Sequence, residues 1–310
     1  MSKILVVFGA TGQQGGSVAN YVLNDPQLSK EFKVRAVTRD PSQPAAQALE
    51  QKGAEVVKGD ANDKESIKLA VQGAHTVFGI TASVFDEHLK TREYAQGKAM
   101  ADAAVAAGVQ YFIFSTLPNA TRISGGKFKH AEHFDVKEEI EQYIRSQPIK
   151  SAFFAPGLFM QNFSNVMAPL PVGDGTYAIS NVATPQTKLP LIDIVADAGK
   201  YVGAILAEPD KYEGKLVFAF TSLTSFEEIV KAISKATGKT VKYNQLPVEV
   251  FKGFFPPSAA DDMIDMFLYY QDFGYYGPQT ENLVASAGQN ARGKQTTFEE
   301  FLDKNPLSLQ

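Results

Sequence analysis

No cysteine occurs among the 310 residues, so disulfides, thiolate metal sites, a catalytic thiol and thiol-based redox sensing are all excluded. Any response of this chain to redox state has to run through a bound cofactor. Excess positive charge is missing as well: 30 Lys and Arg against 34 Asp and Glu leave a net charge of -4 and a pI near 5.7. That balance argues against direct nucleic-acid binding and against a membrane surface, both of which draw on clustered Lys and Arg, so any phosphate site must be local. No run approaches the roughly 18 apolar residues of a membrane helix. The opening Ile4-Leu5-Val6-Val7-Phe8 is too short for a signal-peptide core and meets glycine at once. The expected location is therefore the cytoplasm, with the nucleus open to it by diffusion. Linker tracts, internal repeats and heptads are also absent.

What is present is ordinary globular material, 44% hydrophobic and 21% charged, enough for about two domains or one enlarged α/β domain. Short apolar runs alternate with amphipathic stretches through the first half. Strands are predicted at Lys3–Phe8, Lys33–Thr38, Glu55–Lys58, Thr76–Ile80, Tyr111–Ser115 and Ser151–Ala155. Helices are predicted near Gly15–Leu23, Gln43–Gln51, Lys64–Val71, Tyr94–Ala107 and Ala131–Arg145. This β-α alternation predicts an α/β fold, a Rossmann-type doubly wound parallel sheet over residues 1–156. After Pro156 proline, glycine and aromatic residues interrupt the pattern, as in Phe254-Phe255-Pro256-Pro257. Residues 157–310 are expected to form a smaller α+β capping region for a substrate or partner, with some segments returning to the sheet. A helix at Ser225–Thr237 stopped by Gly238, followed by a strand at Thr240–Tyr243, is its clearest feature.

The first strand leads directly into Gly9-Ala10-Thr11-Gly12-Gln13-Gln14-Gly15. In that context the glycines have mechanical reasons: a tight turn at Gly9, close approach of backbone to a pyrophosphate at Gly12, and helix–strand packing at Gly15. An ordinary glycine-rich turn is the alternative. The spacing, GxxGxxG, resembles that of atypical and extended short-chain dehydrogenase/reductases. At the end of the second strand Thr38-Arg39-Asp40 places arginine where a 2′-phosphate would lie, which favours NADP(H) over NAD(H). The competing reading is an exposed Arg39 paired with Asp40. Asp60-Ala61 after the third strand and Thr81-Ala82-Ser83 after the fourth are expected at the adenine and nicotinamide sides, because ligands sit beyond the carboxyl ends of such strands.

Short-chain reductases carry Tyr-x-x-x-Lys on the helix after the fifth strand, four-residue spacing setting both side chains on one face. Tyr94-Ala95-Gln96-Gly97-Lys98 matches as a string but lies one helix too early, and is read as helix surface. At the expected place stands His133-Phe134-Asp135-Val136-Lys137, with the lysine kept and histidine in place of tyrosine. Lys137 is read as a ribose-binding residue. His133 is either a general acid or a histidine satisfied by a hydrogen bond at a helix start.

With these segments, Pro156-Gly157-Leu158-Phe159-Met160-Gln161-Asn162 and Lys188-Leu189-Pro190-Leu191-Ile192-Asp193-Ile194 included, the chain resembles the NmrA-like family of atypical short-chain dehydrogenase/reductases. That family includes fungal nitrogen-repression regulators and animal redox sensors. The resemblance implies NADP(H) bound through Gly9 to Gln14, Arg39, Asp60, Ala61, Thr81, Ala82, Ser83, Lys137 and Phe159, Met160, Gln161 and Asn162. Members lacking the tyrosine are regulators of the dinucleotide-sensing kind, which makes such a sensor with a protein partner at the C-terminal region the first expectation. An NADPH-dependent reductase of quinones or small carbonyl compounds is the second. Phe254, Phe255, Tyr269, Tyr270, Tyr275 and Tyr276 either line a substrate pocket or form core.

Overall fold

The computed structural model describes residues 2–309. Six strands form in the order expected: β1 (Lys3–Val7), β2 (Phe32–Thr38), β3 (Glu55–Lys58), β4 (Thr76–Gly79), β5 (Tyr111–Ser115) and β6 (Lys150–Pro156). Each of the inner ones is a short apolar run with no polar face, the composition of a strand covered on both sides. The sheet runs β3-β2-β1-β4-β5-β6, and a seventh strand, Leu216–Ala219, adds to β6 in the same direction. All its pairings are parallel. Strand order reverses between β1 and β4, the switch point of a doubly wound sheet, outside whose carboxyl ends ligands bind in such folds.

Helix α1 (Gln13–Asn24) packs on one face against the helix Ile194–Ala207, which comes from beyond residue 156. The helices Leu89–Ala106 and Glu132–Arg145 cover the other face against each other. Their crossing is close because Gly97 has no side chain: a Cβ there would lie 2.4 Å from Ile140 Cγ2. The helix Leu89–Ala106 begins five residues earlier than its periodicity predicts. Its buried positions Leu89, Glu93, Gln96 and Met100 include two polar residues that dilute the apolar signal.

The C-terminal region carries two small three-stranded sheets and the helix Pro257–Phe273. Ser225 caps the helix Phe226–Thr237 with a reciprocal capping box to Glu228. Tyr269, Tyr270, Tyr275 and Tyr276 are core residues, while Phe254 is exposed and Phe255 half-buried. The Tyr275 and Tyr276 hydroxyls donate to the carbonyls of Pro156 (3.2 Å) and Ala155 (2.9 Å), tying this region to the end of β6. No helix among the described residues is long and apolar enough to cross a membrane.

Candidate functional site

Four loops meet along the carboxyl edge of the sheet. In the first, Gly9 turns the chain at φ +63°, where a side chain would be strained, and the Gly12 N–H donates to the Gly9 carbonyl at 2.9 Å. Gly15 is required by packing, since a Cβ would lie 2.3 Å from the Gly9 oxygen. Gly12 caps α1 without any side-chain bond, so the amide groups of Gln13, Gln14 and Gly15 begin a helix that no side chain satisfies. Ala10 is buried, its N–H donating to Val37 O at 3.2 Å, and Thr11 shares a 3.3 Å hydroxyl contact with Thr38. Gln14 accepts from the Ser115 hydroxyl at 2.7 Å, joining the loop to the end of β5. These residues fit a pyrophosphate: a glycine turn, an uncapped helix start and exposed positions at Gly9, Gly12 and Gln13.

Arg39 is exposed and makes no ion pair among the described residues. Asp40 turns instead to Ser42, whose hydroxyl (2.6 Å) and N–H (2.9 Å) hold its carboxyl below the usual range, with Lys58 adding to the effect. The Arg39–Asp40 pairing weighed from the sequence does not form. Asp60 closes an Asx turn on Asn62, with bonds of 2.9 and 3.0 Å, and Ala61 is half-buried beside it.

The densest cluster follows β4. Glu93, 1% exposed, accepts from the Thr81 hydroxyl at 2.6 Å through Oε1 and from the Ser83 hydroxyl at 2.9 Å through Oε2. Lys137 Nζ completes it, ion-paired to Glu93 Oε1 and 3.3 Å from Thr81 Oγ1. Gln96, one turn on, accepts from the Ala82 N–H at 3.4 Å and donates to Asn62 at 2.9 Å, so one helix fixes the loops after β3 and β4 together.

His133 lies one turn before Lys137, as the four-residue spacing requires. Its Nδ1 meets Asp262 Oδ1, its N–H donates to Asp262 Oδ2 at 3.2 Å, and its ring sits edge-on to Phe85 and Phe134. The partner is thus a carboxylate from the helix Pro257–Phe273, not a group of its own helix start. That helix also bonds the loop after β4, Ser258 donating to Phe85 O at 2.8 Å.

Tyr94 and Lys98 lie apart from this cluster: Tyr94 packs on the Tyr143 ring, and Lys98 binds Asp102 (2.6 Å) and Tyr143 (2.8 Å). Among the family-implied residues, Phe159 and Asn162 are half-buried. Met160 is fully buried in the core, and Gln161 caps the helix Ile194–Ala207 by bonding Asp193 at 2.7 Å and the Ile194 N–H at 3.3 Å. Two cavities, of about 190 and 430 Å³, lie elsewhere, at the amino ends of the strands and beside Tyr270. Sequence reasoning missed Glu93 and Asp262. The available signal was a carboxylate inside an apolar helical stripe, Glu93 between Leu89 and Met100 and Asp262 between Ala259 and Met266.

The model of the NmrA-like family matches residues 1–302. An NmrA-like family domain-containing protein of Dictyostelium discoideum is 35% identical, over 98% of both chains. The NmrA-like family domain-containing oxidoreductase FrzB of Cladobotryum sp is 31% identical, over 93% of this chain and 90% of that protein. The solved structure of NmrA, a negative transcriptional regulator, in complex with NADP superposes with a TM-score of 0.80 at 23% identity, over 98% of this chain and 95% of that one. The match along almost the whole sequence, together with the doubly wound sheet, shows that the chain belongs to the NmrA-like family.

Proposed function

We propose that the protein is an NADP(H)-dependent reductase of a small quinone or carbonyl compound. The carrying observation is that His133 and Lys137 share a helix face at the carboxyl edge, each anchored by a buried carboxylate from a different element. Two such buried pairs on one helix are costly for structure alone. FrzB, alike over most of the chain, is named an oxidoreductase.

In this reading the amide groups of Gly12 to Gly15 hold the pyrophosphate, Arg39 forks onto the 2′-phosphate, and Lys137 contacts the ribose next to the nicotinamide. Asp60 and Ala61 flank the adenine, and Thr81, Ala82 and Ser83 let the chain pass beside the nicotinamide. Phe159 to Asn162 close the far wall, Met160 by its backbone alone. When bound, NADPH supplies a hydride to the acceptor carbon. Asp262 would accept a hydrogen bond from the Nδ1–H of His133 and orient the ring. The protonated imidazole then gives its Nε2 proton to the developing oxyanion and is left neutral, with Nδ1–H still bonded to Asp262.

A second reading, a regulator that senses dinucleotide state, draws on the missing tyrosine and on the tether from His133 to the C-terminal helix, through which ligand occupancy would reach a partner surface. Steady-state NADPH oxidation with a quinone and aldehyde panel separates the two. The reductase reading expects turnover that falls about a hundred- to ten-thousandfold in His133→Ala. Oxidation that survives His133→Ala removes His133 from the chemistry, and NADPH binding with no turnover across the panel leaves the sensor.

A further inference from the structure

We infer that the Glu93–Lys137 pair keeps this site electrically neutral towards the nicotinamide ring, so that its two charges together control the balance between oxidised and reduced dinucleotide. The inference rests on the dinucleotide reading above and goes beyond it to a residue, Glu93, that neither the glycine motif nor the lysine position points to. Glu93 is 1% exposed, and its three side-chain partners, Thr81, Ser83 and Lys137, all belong to the edge assigned to the nicotinamide. A carboxylate so placed is strongly unfavourable unless fully bonded and neutralised. Here it is both, and Lys137 supplies the neutralising charge.

The nicotinamide ring carries one positive charge when oxidised and none when reduced. Beside a neutral pair, neither form is favoured by the local field. Removing one partner leaves a single buried charge, and its sign decides which form gains. An unpaired Lys137 ammonium repels the oxidised ring, whereas an unpaired Glu93 carboxylate attracts it. The ribose contact of Lys137 is common to both forms and cancels in the ratio of their dissociation constants.

The experiment measures Kd for NADPH and for NADP+ on the full chain by calorimetry, and takes the ratio Kd(NADP+)/Kd(NADPH). In Glu93→Gln the ratio should rise on the order of tenfold, and in Lys137→Gln it should fall by a similar factor, as one charge within about 10 Å produces at an effective dielectric constant near 20. The double variant should return towards the wild-type ratio. A packing defect weakens both forms together and cannot give opposite signs. Ratios that move the same way in both single variants, or by less than about twofold, overturn the inference. If Glu93→Gln does not fold, the sign of the change in Lys137→Gln decides alone. Wild-type protein that binds neither form overturns the dinucleotide reading and this inference with it, while binding with an unmoved ratio overturns only the latter.

Discussion

Arg39 is the side chain proposed to favour NADP(H). It stands at the end of β2, exposed and unpaired among the described residues, because Ser42 has already taken the neighbouring Asp40 carboxylate. No protein contact has to be broken for it to fork onto a 2′-phosphate, and a hydrogen bond between charged groups contributes about 1.5–3 kcal/mol. Arg39→Ala should therefore remove roughly ten- to a hundredfold of NADPH affinity while leaving NADH affinity unchanged, a contrast calorimetry resolves. Equal affinities for the two cofactors in the wild type would refute the assignment. That Arg39 directly follows the second strand was legible, because the end of an apolar strand is local information. Its freedom from Asp40 was not, since it depends on a turn geometry closed by Ser42.

At the scale of the element, the junction of β1 and α1 separates two kinds of glycine that look alike in a motif. At Gly15 a methyl group would collide with backbone atoms at 2.3, 2.6 and 2.7 Å, none of which can swing away. At Gly12 the nearest atom is 3.3 Å off and the backbone is extended. Gly15→Ala should destabilise the fold by about 1–3 kcal/mol, the usual size of an overpacking strain. Gly12→Ala should change stability little and weaken dinucleotide binding instead. Denaturant unfolding and calorimetry on the two variants check this; a stability loss in Gly12→Ala equal to that in Gly15→Ala would show both glycines to be structural. The helix Leu89–Ala106 makes the complementary point. Its approach to Glu132–Arg145 through Gly97 and Ile140 brings Glu93 to Lys137 across 44 positions of sequence, and no periodicity within either helix announces that meeting.

Across the whole molecule, folding buries three carboxyls whose burial pushes them above the ordinary range: Asp135 and Glu141 on the helix Glu132–Arg145 and Asp197 on Ile194–Ala207. Their ordinary values are 3.8 for Asp and 4.5 for Glu, so below these both folded and unfolded chains are protonated and the groups contribute nothing. As pH rises past them the unfolded chain ionises first, the folded chain holds more protons, and stability declines until the buried carboxyls ionise as well. Glu141→Gln should flatten that decline in melting temperature as pH rises above the ordinary glutamate value of 4.5; an unaltered slope would show that Glu141 is not a source of it. The same scale divides what each level of information decides. By itself the sequence determined the six-strand alternation, the glycine loop and the place of Lys137 on the helix after the fifth strand, because each depends on neighbours within a turn or a strand. It also excluded cysteine chemistry outright. Only the tertiary structure decided that Leu216–Ala219 completes the sheet, and that the buried carboxylates Glu93 and Asp262 anchor Lys137 and His133. It decided too that Tyr269, Tyr270, Tyr275 and Tyr276 are core while Phe254 is exposed. Those outcomes join residues dozens to more than a hundred positions apart, and the energy that selects them, desolvation of charge and burial of apolar surface, exists only once the chain has closed on itself.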